Sequence, residues 1–291
     1  MFKHIPVLSE EVLENFRNLE KGEIIIDGTL GKGGHSKLFL KEGFEVIGID
    51  RDKEAVEEVK KNLKGLGKIK IVQDNFSRIK EILSRLKIEK VGGILLDLGV
   101  STHQLEKAER GFGFVGELDM RMNQGQILTA KKIVNEYSEE KLVQILYKNG
   151  ERVNAKKIAK SIVEYRQKNN IETGGQLLKL IKYSLDEKYR KSRKHHWATQ
   201  TFRALRIEVN KDYENLEKFL GVFSDCLKQK GILQIITFHS IEEKIVRKKL
   251  RELKQKKIIK LITKRPFEAT LKEIAKNPKS KRAKLWVAEM R

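Results

Sequence analysis

The chain has one cysteine, six histidines without the spacing of a metal site, and no long apolar run. The lone Cys226 excludes an internal disulfide and a cysteine-rich metal cluster, and its neighbours predict a buried position on a helix. We expect no metal. No apolar run is long enough to cross a membrane, and Met1–Pro6 lacks the apolar segment of a signal peptide. We therefore expect a cytoplasmic protein without a membrane partner.

Positive charge is in large excess, and it is unevenly distributed. The formal net charge is +22. Lysine and arginine nearly balance aspartate and glutamate over residues 1–100 (18 against 17), but exceed them over residues 101–200 (20 against 12) and 201–291 (24 against 11). This asymmetry favours a polyanionic partner, RNA or DNA, held through its phosphates. The alternative is a generally lysine-rich chain whose lysines alternate with glutamate on solvated helices.

A glycine-rich turn is the most informative local feature. The apolar run Ile24–Asp27 leads into the turn, a helical stretch follows, and a second apolar run ends at Asp50. This order is typical of a nucleotide-binding βαβ unit whose acid holds ribose hydroxyls. Ser36 stands where a dinucleotide site has its third glycine, and Asp27 would repel a pyrophosphate. S-adenosylmethionine, which is cationic and has no phosphate, suits the turn better. The alternative is an ordinary tight turn.

Strand and helix patterns alternate over the first hundred residues and predict a parallel sheet covered by helices on both faces. The strand candidates are Ile24–Asp27, Val46–Asp50, Ile69–Gln73 and Gly93–Leu98. They end in or just before Asp27, Asp50, Asp74 and Asp97. Because ligands bind at the carboxyl ends of parallel strands, four acids at this edge predict a cleft.

The pattern becomes helical after the fourth strand. Residues 102–210 contain no convincing strand, whereas Gly231–Phe238 reads as a buried strand. Ile258–Thr263 and Lys284–Met290 predict a closing antiparallel pair. We therefore predict a core domain of residues 1–101 and 211–291, interrupted by an inserted helical domain of residues 102–210.

Three side chains beside predicted strand ends are candidates for a methyltransferase site. Methylation of an exocyclic amine needs an acceptor for N–H hydrogen bonds and for the departing proton, and Asp97 suits both roles. His239 is a second candidate, placed to orient a base or relay a proton. Phe76 is placed to stack on adenine. The alternatives are a turn cap for Asp97, a helix cap for His239 and core packing for Phe76.

A basic run also contains aromatic residues. Lys188–Trp197 mixes cations with Tyr189 and Trp197, a mixture that RNA-binding proteins use for phosphate contacts and base stacking. A mobile solvated linker is the alternative.

Taken in order, the motifs resemble those of the bacterial methyltransferases that modify N4 of a cytidine in small-subunit (16S) ribosomal RNA. The resemblance covers essentially the whole chain, and the pairing of the glycine turn with a later Asp-Met-Arg-Met stretch is its most specific part. In one departure, Thr102-His103 replaces the more usual Ser-Pro. The matching stretches are His4–Leu8, Asp27–Ser36, Ile49–Asp52, Leu95–Ser101, Gln104-Leu105, Glu109–Phe112, Leu118–Met122, Thr199–Asn210, Phe238–Ser240 and Asn277-Pro278.

The resemblance implies an α/β protein with a class I S-adenosylmethionine-dependent methyltransferase (Rossmann-like) core and an inserted all-helical substrate-recognition domain. Its implied partner is 16S ribosomal RNA in the small subunit, near the decoding centre. Two rival classes are a small-molecule methyltransferase, disfavoured by the basic excess, and an RNA-binding protein without chemistry, disfavoured by the strand-end acids. The implied cofactor positions are Gly33, Gly34 and His35 (methionine part), Asp50 (ribose), Phe76 (adenine side), Asp97 and Gln104.

Overall fold

The chain folds as two compact units. The computed structural model describes residues 5–101, 104–105, 107–192 and 196–291. The core unit runs up to Gly99 and resumes at Tyr213, and the inserted unit is Val100–Asp212. His4, Thr102, His103 and residues 193–195, which belong to stretches singled out above, lie outside the described residues.

One sheet of eight strands organises the core unit. The strands are β1 (Ile24–Asp27), β2 (Glu45–Asp50), β3 (Ile69–Gln73), β4 (Val91–Asp97), β5 (Leu227–Thr237), β6 (Ile259–Leu261), β7 (Phe267–Glu268) and β8 (Lys284–Met290). Their order is β3-β2-β1-β4-β5-β8-β6, with β7 also paired to β8. The first five are parallel, and β8 is antiparallel to each of its neighbours. The carboxyl ends of β1–β5 therefore lie at one edge of the sheet.

Helices cover both faces of this sheet. Successive side chains along a strand point to opposite faces, so both faces carry apolar side chains that helices bury. Ile26 and Leu96 pack in a cluster on one face, and Ile25 and Leu95 pack in a second cluster on the other. The helices around the sheet are Ser9–Phe16, Gly34–Lys41, Lys53–Asn62, Ile79–Leu86, Asp212–Cys226, Ser240–Gln255 and Leu271–Lys276.

The inserted unit is helical around a hydrophobic core of its own. Its described residues form no strand apart from an isolated bridge between Glu117 and Thr173. Its helices are Ala130–Glu136, Glu139–Lys148, Ala155–Arg166, Gly174–Ser184, Glu187–Lys191 and Thr199–Asn210.

The predicted α/β class and the closing antiparallel pair are confirmed, and Cys226 is buried at a helix end as predicted. The predicted bounds of β2, β4, β5 and β6 were wrong by one to four residues, and the largest error is at the start of β5. β5 begins at Leu227, four residues before the predicted Gly231, because the residues in between are exposed and polar and hide the strand pattern; the register of β5 against β4 also shifts there. The short β7 and the Leu271–Lys276 helix have too little apolar pattern to be predicted. No described helix is long and apolar enough to span a bilayer.

Candidate active site

The glycine-rich turn after β1 is fastened to the strands on either side of it. The Gly28 N–H donates to the carbonyl of Leu95 on β4 (2.9 Å), and the Leu30 N–H donates to the carbonyl of Ile49 on β2 (3.0 Å). Gly33 is the N-cap of the next helix and has φ 74°, a left-handed conformation that glycine adopts without strain. The turn is therefore held in place from both sides.

Asp50, at the end of β2, closes the turn. Its Oδ2 accepts from the Gly31 N–H (2.8 Å) and its Oδ1 from the Asp52 N–H (2.9 Å). Burial raises the pKa of Asp50 to about 6, although both N–H donors act in the opposite direction. Each oxygen keeps a lone pair for a hydroxyl donor. The carboxylate can therefore accept further hydrogen bonds beside the turn, and its contact with a ribose stays a prediction.

Asp27, His35 and Asp97 form a mostly buried cluster beside the turn. His35 Nε2 lies 3.7 Å from Asp97 Oδ2, and these side chains are 7% and 24% exposed. The Ser36 hydroxyl donates to Asp27 Oδ2 (2.7 Å). Burial raises the pKa of Asp27, while His35 and the Ser36 hydrogen bond lower it. Both ring nitrogens of His35 and Oδ1 of Asp97 are buried and have no hydrogen-bond partner among the residues that the structure describes.

Thr29 is a member of the site that sequence reasoning missed. Its Oγ1 accepts a hydrogen bond from the Asp97 N–H (2.6 Å), and its own N–H donates to Asp27 Oδ1 (3.3 Å). It therefore joins the end of β4 to the turn after β1. The sequence feature that could have indicated this role is a hydroxyl side chain two residues after the acid that ends β1.

The four strand-end carboxylates lie at one edge of the sheet as predicted, but they are not equivalent. Asp74 pairs with Arg85 (2.6 Å) and Arg78 (3.4 Å), and the buried Asp27 is held by Ser36 and Thr29. Asp50 and Asp97 retain acceptor capacity.

The structure places Phe76 in the hydrophobic core. Its ring is 7% exposed and meets Phe219 edge-on at a centroid distance of 5.8 Å. Core packing, the alternative reading of this residue, is thus observed. Its contact with adenine stays a prediction.

His239 is the N-cap of the Ser240–Gln255 helix. Its Nδ1 accepts from the Glu242 N–H (3.5 Å), and its Nε2 lies 2.7 Å from Glu242 Oε1. The Glu242 carboxylate in turn accepts from the N–H of Phe238, the residue before the cap (3.0 Å), so Glu242 fastens the first turn of the helix to the chain that leads into it. The capping alternative is thus observed, and a catalytic role for His239 stays a prediction.

Gln104 belongs to the inserted unit, where it closes a turn. Its Oε1 accepts from the Ser101 N–H (3.1 Å), and its own N–H donates to the Ser101 hydroxyl (3.2 Å). The cofactor contact expected of Gln104 stays a prediction.

Three stretches that carried the resemblance are hydrogen-bonded to one another within the inserted unit. Arg110 is fully buried and donates through Nη2 to the carbonyls of Arg121 (3.0 Å) and Met122 (3.2 Å). Asn210 donates to the carbonyl of Met120 (2.7 Å) and accepts from the Met122 N–H (2.8 Å). These residues therefore stabilise the unit, since a buried guanidinium is costly unless it is hydrogen-bonded.

A Gly111→Ala substitution is expected to destabilise the inserted unit by more than about 3 kcal/mol. Gly111 has φ +69°, and an added Cβ would lie 2.2 Å from the Glu117 carbonyl oxygen and 2.6 Å from the Asp119 nitrogen. Backbone atoms cannot yield as a flexible side chain can. Hydrogen exchange over residues 100–212 measures the loss. Gly175→Ala is the control, because its Cβ would meet only Thr173 Oγ1 at 3.9 Å. Equal protection in both variants would contradict the prediction.

A protein-family model and the curated relatives of this chain point to the same family. The MraW methylase family matches residues 1–291. The chain is 42% identical over 306 residues to ribosomal RNA small subunit methyltransferase H of Clostridium botulinum (strain Kyoto / Type A2), covering 98% of each chain. It is 43% identical over 292 residues to the protein of the same name from Sulfurihydrogenibium sp. (strain YO3AOP1), covering 99% of each.

Among solved structures, an rRNA methylase from Streptococcus thermophilus aligns with a TM-score of 0.47 and 10% identity, covering 99% of each chain. A likeness of this degree carries no weight for function. The match to the family over the full length, together with relatives above 40% identity over nearly the whole chain, is decisive: the chain belongs to the MraW methylase family.

Proposed function

We propose that this chain methylates N4 of a cytidine in the 16S ribosomal RNA of the small ribosomal subunit, near the decoding centre. Membership of the family makes it an S-adenosylmethionine-dependent methyltransferase, and the relatives' name indicates ribosomal RNA as the substrate class. An assembled or nearly assembled subunit as substrate, and a cytoplasmic location, belong to the same proposal.

The residues at the strand ends fit S-adenosylmethionine. Asp50 offers two partly buried carboxylate oxygens to the ribose hydroxyls. His35 and Asp97 offer buried polar atoms to which no described residue is hydrogen-bonded. Asp27, Asp50 and Asp97 together make this edge acidic, which favours a ligand carrying a sulfonium and an ammonium. Gly33, Gly34 and His35 are the residues we expect at its methionine part.

Asp97 is the group that we assign to the target nitrogen, and its unpartnered buried Oδ1 is the observation that carries the proposal. When bound, the cofactor supplies a methyl group already activated by its positive sulfur. Asp97 accepts a hydrogen bond from the N4 amine, which holds the nitrogen lone pair out of conjugation with the ring. The carboxylate then takes the proton that leaves N4. Thr29 fixes the backbone of Asp97 for this task.

The inserted unit is the part that we assign to recognition of the RNA. Its residues 101–200 carry 20 basic against 12 acidic side chains. Tyr189 and Trp197 of the basic run pack partly buried against its hydrophobic core, so the cations around them are held near a folded surface. Phosphate contacts from this unit are expected to weaken as salt rises.

Mass spectrometry of small-subunit RNA tests the target. Cells that lack the protein are expected to lose N4-methylcytidine from this RNA, because the proposal makes this chain the enzyme that transfers the methyl group to N4. Re-expression of the wild-type chain is expected to restore the modification, whereas an Asp97→Asn chain is not. An unchanged level of N4-methylcytidine in the deleted strain would reject the target.

A further inference from the structure

The Ser240–Gln255 helix carries a row of exposed cations, Lys244, Arg247, Lys248 and Arg251, which we call the basic face. Their spacing of three, four and seven residues places them on one side of the helix. The buried side chains of the helix, including Val246 and Leu250, lie on another side. Within the described part of the chain, none of the four cations has an ion pair or a hydrogen bond through its side chain.

The basic face differs from an ordinary solvated helix surface. On such a surface, acids three or four residues away would pair with the cations. Here Glu243 is paired with Lys284 (3.0 Å), and Glu252 with Lys249 (3.2 Å) and Lys256 (3.0 Å). Glu242 is used in the helix cap. The four cations therefore lie beside one another without an acidic partner among the described residues. Like charges at this spacing destabilise a helix. A polyanion bound along the face would remove that repulsion.

The basic face starts at the edge of the sheet that carries Asp97. The helix follows β5 directly, and the Leu98 N–H donates to the carbonyl of Ile236 on β5 (3.0 Å). Seven residues of helix separate the first and last cations of the face, which is about 10 Å along the axis. That length covers about three phosphates along one strand of a nucleic acid.

Two more exposed cations lie at the same edge. Lys281 and Arg282 precede β8, whose first residue, Lys284, forms the ion pair with Glu243 of the helix. The positive surface of the core unit therefore continues from the helix toward the start of β8.

We propose that the basic face binds the sugar-phosphate backbone of the RNA that flanks the methylated cytidine. This inference rests on the proposed function, and it gives the core unit a part in holding the substrate. RNA fits better than a protein partner because all four positions are cations without an aromatic residue among them, whereas the centre of a protein interface is enriched in aromatic residues and depleted of lysine. Lysine and arginine at this spacing supply phosphate contacts without reading sequence.

The test compares two triple variants of the full chain. The first, Arg247→Gln, Lys248→Gln and Arg251→Gln, removes three charges and keeps good helix formers. The control, Lys60→Gln, Lys61→Gln and Lys64→Gln, removes three exposed charges near the end of the Lys53–Asn62 helix, which connects β2 to β3, at the other end of the strand order from β8. Each is titrated with S-adenosylmethionine, with unmethylated small subunits and with a protein-free 16S RNA fragment, at several salt concentrations.

The basic-face variant is expected to bind subunits and RNA fragment between ~10- and ~100-fold more weakly at 0.1 M salt, and to lose about 2 from the salt slope of log Kd. Its affinity for S-adenosylmethionine and the binding of the control variant are expected to stay within twofold of wild type. An unchanged salt slope would overturn the proposal. So would a loss of binding to subunits but not to protein-free RNA, because the partner would then be a ribosomal protein. A wild-type chain that binds the cofactor but methylates neither substrate would instead refute the proposed function.

Discussion

Replacing Asp97 with asparagine is expected to lower kcat for methyl transfer by about 10²- to 10⁴-fold, the range typical of a lost proton acceptor. Asparagine has nearly the same shape and keeps one carbonyl oxygen, so the hydrogen bond between the residue 97 N–H and Thr29 Oγ1 (2.6 Å) is preserved. The substitution removes only the ability to take a proton and the negative charge beside His35. Rates are measured at saturating S-adenosylmethionine, which separates any loss of cofactor affinity from the loss of chemistry.

Asp225→Asn provides the matched control for this measurement. Asp225 lies in the Asp212–Cys226 helix and is half-exposed in an ion pair with Lys80 (2.9 Å). Removing such a pair changes stability little. We expect wild-type kcat from this variant. A kcat within threefold of wild type for Asp97→Asn would show that another group contacts the target nitrogen.

Replacing Asp50 with alanine is expected to weaken S-adenosylmethionine binding by roughly 10- to 100-fold, because hydrogen bonds to a charged acceptor contribute about 1.5–3 kcal/mol. The ribose takes no part in methyl transfer, so these contacts are equally strong before and during the reaction. The KM for the cofactor should therefore rise while kcat at saturation is largely retained. Calorimetric titration measures the affinity, and an unchanged Kd would remove Asp50 from the cofactor site.

The same residue predicts a pH dependence. Cofactor affinity should fall as the pH drops through about 6, the pKa of Asp50, because the protonated carboxyl is a poorer acceptor. An Asp50→Asn variant should bind weakly at every pH and show no such transition. A wild-type profile that is flat between pH 5 and 8 would contradict the assignment.

The effect of Asp50 on folding has the opposite sign. Its pKa is raised from 3.8, so the folded chain holds this proton more tightly than the unfolded chain does. The contribution of this one group to stability is therefore fully present below pH 3.8 and is lost as the pH rises through about 6. At neutral pH the ionised Asp50 carboxylate strengthens cofactor binding but lowers the stability of the fold.

Much of the core unit could be predicted because parallel strands buried on both faces leave a strong pattern in the sequence. Ile69–Gln73 and Lys284–Met290 were predicted with the boundaries that the structure has. The acids at strand ends were predicted to meet at one edge, and the strand order places them there. That inference needed only the parallel direction of the strands.

Which of those acids are free to accept a ligand hydrogen bond could not be predicted. Whether a carboxylate is available depends on which side chains reach it through space. Asp74 is paired with Arg85, which is eleven residues from it in the sequence. The Asp97 N–H is bonded to Thr29, which is 68 residues from it. Such contacts leave no periodic trace in the sequence. The roles of Phe76 and His239 stayed open for the same reason, since a core ring or a helix cap has the same local pattern as a ligand contact.

The position of the inserted unit also has a consequence for synthesis of the chain. β4 ends at Asp97 and its partner β5 begins at Leu227, so 129 residues lie between two adjacent strands. At a translation rate of 5–20 residues per second, β4 waits on the order of ten seconds for that partner. During this interval its apolar edge is open to pairing with other chains. Early folding of the inserted unit shortens the loop that must close before β5 can pair with β4. A mutation that slows the folding of this unit is therefore expected to cause aggregation of the nascent sheet.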